Sequence, residues 1–180
     1  IYLSKAFELT RYTFTHFYDT ETGFFFYTSD LQTDIRTRKK EVSDNVIPAS
    51  NSVMAKNLFI LGHYDSKPKY IEKSKNMLMK ISKALLANPS FYSNWIQLYS
   101  WFVNPFYEIV VGGTEAEIIL KEINKKYIPN TLIAKAYNES KLAITKNRNS
   151  TETQIFVCVN NTCKLPVTTI EQALKSLNDE

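Results

Sequence analysis

At 180 residues, with 44% hydrophobic and 13% aromatic side chains, the chain can bury the core of one ordinary domain or of a domain with an appended subdomain, which excludes a disordered tail. The formal charge of +4 sits in the first half: residues 1–90 hold 13 Lys/Arg against 9 Asp/Glu, and residues 91–180 hold 9 of each. No run of about 18 apolar residues is present, which excludes a membrane-spanning helix, and the 4 glycines suit a helix-rich chain better than a sandwich of tight hairpins.

The chain opens at Ile1, inside what reads as a helix over residues 2–18, so a piece of a longer protein is expected. Leu3, Ala6, Phe7, Leu9, Phe14 and Phe17 give that helix a broad apolar face. A turn at Asp19–Gly23 leads to a short extended aromatic run, Phe24–Thr28, and residues 29–48 form a long polar connection. Connections of that length inside compact domains are usually functional. The basic cluster Arg36, Arg38, Lys39 and Lys40 lacks interleaved aromatics, so it predicts a solvated loop with one or two arginines turned inward rather than a nucleic-acid surface.

Three helices follow. Ser50 is placed to cap one over about 51–62, closed by Gly62. Ser66 and Pro68 open another, running to about residue 87. Pro89 and Ser90 start a third, stopped by Pro105 and apolar on nearly every side, which predicts burial between neighbours. These helices read as a series of hairpins. From Tyr107 the period changes to β: strands are expected near 108–112, 131–136 and 154–159, the last after a polar linker at 138–152. A helix to about Tyr127, capped by Thr114 and Glu117, joins the first two strands, and a terminal helix capped by Thr168 and Glu171 closes the chain. The helix-length crossover argues for parallel pairing of the first two strands. The fold class is thus mainly α with a small α/β tail: helical hairpins over 1–105 and a three-stranded, partly parallel sheet with helices over 106–180.

The richest polar stretch is Arg38 to Ser52. Arg38, Glu41 and Asp44 are spaced by three and stay close neighbours in a helix or a turn. Paired carboxylates do acid–base work only where their environments separate their pKa values, whereas an arginine between them keeps both ionised and fixes their geometry. Both readings stand, and in both Arg38 should pair with Glu41 or Asp44. Asn51 and Ser52, at a helix start, suit a sugar hydroxyl or a helix cap. Gly112-Gly113 before a helix can present backbone N–H groups to an anion but is not a nucleotide-binding fingerprint. His16 and His63 are far apart and make neither a metal site nor a triad. Cys158 and Cys163 lack further ligands for zinc and the spacing of a redox pair, so two reduced thiols without metal are expected, as in a reducing compartment.

These residues, in order, resemble the thioredoxin-domain-containing proteins of the spermatogenesis-associated protein 20 type. The matches are Phe17 and Asp19; Gly23, Phe24 and Phe25; Arg38, Lys40, Glu41 and Asp44; Pro48, Asn51 and Ser52; and Val157, Cys158, Cys163, Pro166, Val167 and Thr168. Lys39 stands where that pattern has proline, Asn45 where it has glycine, and Ala49-Ser50 where it has Ser-Gly. The resemblance implies that residues 1–105 are the last hairpins of an α/α toroid of the six-hairpin glycosidase and N-acylglucosamine 2-epimerase type. A thioredoxin-like domain and earlier hairpins would then precede them. It further implies a carbohydrate-related role in the cytoplasm, with a sugar-like ligand in a polar cavity, Glu41 and Asp44 as acid–base residues, and Arg38, Asn51 and Ser52 as ligand-binding residues. No cofactor, metal, nucleic acid or membrane enters this reading. The alternative is a non-catalytic scaffold or interaction module for the thioredoxin-like domain.

Overall fold

The computed structural model describes residues 2–137 and 142–177, so the start of the expected linker, 138–141, lies outside the described residues. The chain divides into two compact units, one of residues 1–63 with 67–99 and one of residues 64–66 with 100–180. Four helices occur in the first hundred residues: α1 (Tyr2–His16), α2 (Ser50–Tyr64), α3 (Pro68–Ala87) and α4 (Ser93–Val103). A single 3-10 turn, Pro89–Phe91, precedes α4. Pro68 occupies the first turn of α3, where its missing N–H costs nothing, but Ser66 takes a positive φ of 46° and donates no cap.

These helices do not form part of a toroid. A toroid needs repeated antiparallel helix pairs that each bury the same face. Here residues 17–49 carry no helix at all, and side chains and backbone together fasten this irregular segment. Asp19 N–H bonds Phe24 C=O, Phe26 N–H bonds Phe17 C=O, and Tyr27 N–H bonds Lys39 C=O. The aromatic run 24–28 is therefore a tight reversal with one bridge, Tyr18 to Phe25, rather than a strand. Phe25, Leu58, Phe59, Met77, Leu78, Ile81, Trp95 and Leu98 supply the buried apolar interior of this unit. The expectation that α4 is buried all round also fails. Only Trp95 and Leu98 are enclosed, while Ile96 and Tyr99 stand 37% and 51% exposed.

The second unit holds a four-stranded mixed sheet rather than three strands, in the order β2 (Thr131–Lys135), β1 (Tyr107–Gly112), β3 (Gln154–Val159), β4 (Thr162–Cys163). β1 pairs parallel to β2 and antiparallel to β3, and β3 turns back into β4. The extra strand is two residues long, too short for any periodic signal. Tyr107, Ile109 and Val111 alternate onto one face with Ile155 and Val157, where Ala116 and Ile123 of α5 (Ala116–Ile123) and Ala173 of α6 (Ile170–Ser176) pack. Val110 and Cys158 are also buried, so the central strands are enclosed on both faces.

Helix starts in this unit differ from expectation in instructive ways. The Thr114–Glu117 box does not form: α5 begins one residue after Glu115, whose N–H bonds the Thr153 hydroxyl at 3.1 Å, and Glu117 turns to the Lys135 ammonium at 2.7 Å. The terminal box does form, but one residue later, between Thr169 and Gln172. Gly113 (φ +101°) lies so close to residues 152–153 that a Cβ there would sit 2.5 Å from Thr153 Cα, and one at Gly112 would sit 2.2 Å from Arg148 C=O. Close approach of neighbouring backbone therefore requires glycine at both positions.

Candidate functional site

A groove of about 480 Å³ runs along Tyr27, Thr28, Thr37, Lys39, Lys40, Glu41, Val42 and Ser43. Its size is that of a small-molecule site. Lys39 and Tyr27 are exposed at this stretch, and Glu41 is partly buried. Lys40 is already engaged. Its ammonium pairs with the Asp19 carboxylate, which also accepts the Thr22 hydroxyl at 2.5 Å and the Glu21 N–H at 3.0 Å.

The Lys40 ammonium and then the Thr22 hydroxyl hold the Asp19 carboxyl well below the usual carboxylate range. A carboxyl depressed on folding contributes stability above its unfolded pKa and loses it as pH falls through the folded value. Asp19→Asn should therefore lower the thermal midpoint at neutral pH. The gap to the parent should close progressively below about pH 4, which thermal denaturation at several pH values reads directly.

Arg38 does not meet Glu41 or Asp44. Its Nε and Nη2 donate to Thr28 C=O at 3.0 and 2.7 Å, Nη2 also donates to His16 C=O at 2.8 Å, and the guanidinium lies 4.2 Å from the Phe26 ring centroid. The physical reason is the end of α1. His16 C=O lacks a helical partner there; it accepts the Asp30 N–H at 3.0 Å, and the planar cationic fork bonds it together with a second carbonyl. Glu41 instead faces the start of α2, where Oε2 accepts Ser50 N–H at 3.3 Å. A carboxylate is favoured at that helix end.

Asp44 is 4% exposed, and both of its oxygens are occupied. Oδ1 accepts Ala49 N–H at 2.9 Å and the Ser52 hydroxyl at 2.7 Å, while Oδ2 accepts Asn94 N–H at 2.9 Å. One carboxylate thus serves the starts of both α2 and α4. Beside it, burial pushes the Lys56 ammonium below the usual lysine range, against the opposing pull of Asp44. Asn51, fully buried, acts as a peptide unit in side-chain form. Its Oδ1 accepts Phe25 N–H at 2.7 Å, and its Nδ2 donates to Phe25 C=O at 2.9 Å and to Glu41 C=O at 2.8 Å. Ser52 is equally buried, and the Trp95 indole N–H donates to Val42 C=O at 2.8 Å.

The structure therefore brings Glu41, Asp44, Asn51 and Ser52 together and directs Arg38 elsewhere. Of the five, Glu41 alone lines the groove. The remaining chemistry lies where sequence reasoning expected none. Cys158 and Cys163 are joined in a disulfide, not held as two thiols, because the Asn160-Asn161 turn folds β4 directly onto β3. The readable signal was that turn: two consecutive asparagines, here at φ 51° and 62°, favour a two-residue hairpin that sets Cys158 opposite Cys163. Among the described residues, no group of three or more His, Cys, Asp or Glu side chains is placed to hold a metal. No helix among them is long and apolar enough to cross a membrane. His16 Nδ1 lies 2.8 Å from Asp30 Oδ1, and His63 packs against the Phe59 ring.

Comparisons with protein-family models, with curated proteins and with solved structures find no match. The fold and the site define this chain on their own terms. It combines a helical unit whose polar cluster is folded inward with a mixed α/β unit that carries a disulfide hairpin.

Proposed function

We infer that the chain is a non-catalytic scaffold module, and that the polar stretch from Arg38 to Ser52 fastens polypeptide rather than substrate. One observation carries this reading: Asp44, Asn51, Ser52 and Arg38 direct their polar atoms to neighbouring backbone and to one another. An acid–base residue presents a lone pair or proton to the reacting atom, whereas Asp44 is buried and turns both oxygens to Ala49 N–H, the Ser52 hydroxyl and Asn94 N–H. The surface that suits a partner is the apolar side of the α4 region, where Phe91 is 55% exposed alongside Ile96 and Tyr99. The partner that the family resemblance suggests is a thioredoxin-like domain, with earlier helical hairpins, in the cytoplasm. Where disulfides occur in that compartment they are usually transient and either catalytic or redox-sensing.

Calorimetric titration of the chain with such a domain should give saturable binding that Tyr99→Glu abolishes without lowering the thermal midpoint. Absence of binding by the parent would overturn the reading. A second reading is favoured by the groove: Tyr27, Lys39 and Glu41 could hold a sugar-like ligand bearing a negative group, with Glu41 as acid–base residue. A thermal-shift screen against sugars and sugar phosphates separates the two. The scaffold reading expects shifts below about 1 °C at millimolar ligand. A saturable rise that Glu41→Gln removes would establish the second.

A further inference from the structure

We propose that Cys158 and Cys163 form a thiol–disulfide exchange site in which Cys163 meets the external sulfur, Cys158 resolves the intermediate and Arg148 holds the Cys163 thiolate. Three observations converge on this assignment. The first is register. Val159 and Thr162 flank the two-residue turn, Cys158 and Cys163 form the next cross-strand pair with Cα atoms 3.9 Å apart, and Lys164 N–H returns to Val157 C=O at 3.0 Å. A hairpin of this form keeps the two sulfurs opposed whether they are bonded or reduced.

The second observation is asymmetry. Cys158 is 1% exposed on the enclosed strand β3, whereas Cys163 is exposed on the edge strand β4. An external thiol or disulfide can reach one sulfur and not the other. The third is charge. Arg148 Nη2 lies 3.0 Å from Cys163 Sγ, and Nη1 donates to Ile144 C=O at 2.5 Å, so the guanidinium is anchored while facing the exposed sulfur. A cation at hydrogen-bond distance favours thiolate over thiol and so creates the nucleophile. Glu108, the β1 partner of Cys158 in the strand register, also acts on this arginine through its charge.

In the forward direction the Cys163 thiolate attacks one sulfur of an incoming low-molecular-weight disulfide. The bond within that disulfide breaks, one thiolate leaves and takes a proton from water, and a mixed disulfide remains on Cys163. The Cys158 thiol gives its proton to water and its thiolate attacks Cys163 Sγ. That step expels the second thiolate and closes the Cys158–Cys163 bond. Two electrons pass from the protein dithiol to the incoming disulfide, which becomes two thiols. The reverse sequence, begun by an external dithiol at Cys163 Sγ, reduces the protein.

The test uses the whole chain with glutathione disulfide as oxidant and dithiothreitol as reductant, followed by intact-mass measurement. The reduced parent should lose two hydrogens and hold no lasting adduct, while Cys158→Ser should retain one glutathione on Cys163. Because Cys158→Ser disturbs a buried position, the reduced parent is also alkylated with iodoacetamide, and peptide mapping should find Cys163 modified well before Cys158. In that assay Arg148→Gln should slow Cys163 alkylation about three- to tenfold at pH 7 and move its pH midpoint upward. A purely structural arginine would not move the midpoint. Equal alkylation of the two cysteines, an unmoved midpoint, or a disulfide that dithiothreitol opens only after the chain unfolds would each overturn the assignment.

Discussion

Replacing Asp44 with alanine should destabilise the fold by about 3–5 kcal/mol, since three donors lose their acceptor at once and an unsatisfied buried donor costs about 1–3 kcal/mol. Two of those donors are backbone N–H groups at the starts of α2 and α4, and the third is the buried Ser52 hydroxyl. Asp44→Asn should recover little of the loss, because one side of the amide would present N–H to N–H. Ser52→Ala removes a single contact and should cost about 1 kcal/mol. Urea denaturation followed by circular dichroism measures all three variants. An Asp44→Ala protein within about 0.5 kcal/mol of the parent would mean that solvent readily replaces these contacts.

The second large effect is expected at Asn51→Asp, a change of nearly the same shape. The Asn51 amide nitrogen donates to two carbonyls, Phe25 and Glu41, while its oxygen accepts from Phe25. A carboxylate would set oxygen against both carbonyls in a fully buried position. The loss should be about 3 kcal/mol or more at neutral pH, through two broken bonds and desolvated charge. It should shrink in acid, where a protonated carboxyl can donate again. A pH series of denaturation midpoints separates this cause from simple packing damage, which would not respond to pH.

How much of this was legible differs from residue to residue. The helices over 50–64 and 68–87 announce themselves through Pro68 and apolar spacing, and the β-branched run Ile109–Val111 marks the central strand. Ser50, however, stands inside α2 with its buried hydroxyl making no hydrogen bond instead of capping it, and Gly62 does not end it. The ring implied by the resemblance was not legible in periodicity. What displaces it is the fastening of 17–49, which depends on single polar side chains rather than on a repeating pattern. Glu41, Asp44, Asn51 and Ser52 do gather, but spacing cannot tell a cavity lining from a set of helix caps, because both need the same polar atoms. Arg38 left the group for the end of α1, a partner 22 positions away that local spacing cannot show. The disulfide was missed although the Asn160-Asn161 turn marks the one geometry that allows it: the absence of further ligands was weighed towards two thiols, whereas the turn folds β4 back onto β3 and sets Cys158 opposite Cys163.

The joint action of Asp44 and Asn51 has a mechanical consequence for residues 17–49. Segments without regular structure ordinarily open independently of their surroundings, with little free energy between closed and open forms. Here, freeing Phe25 from Asn51 disturbs the first turn of α2, and freeing Asp44 uncaps α2 and α4 together. Opening of the stretch is therefore coupled to the first turns of α2 and α4. An irregular third of the helical unit is thereby coupled to the helix starts, through Asp44 and Asn51 together with its own backbone bonds.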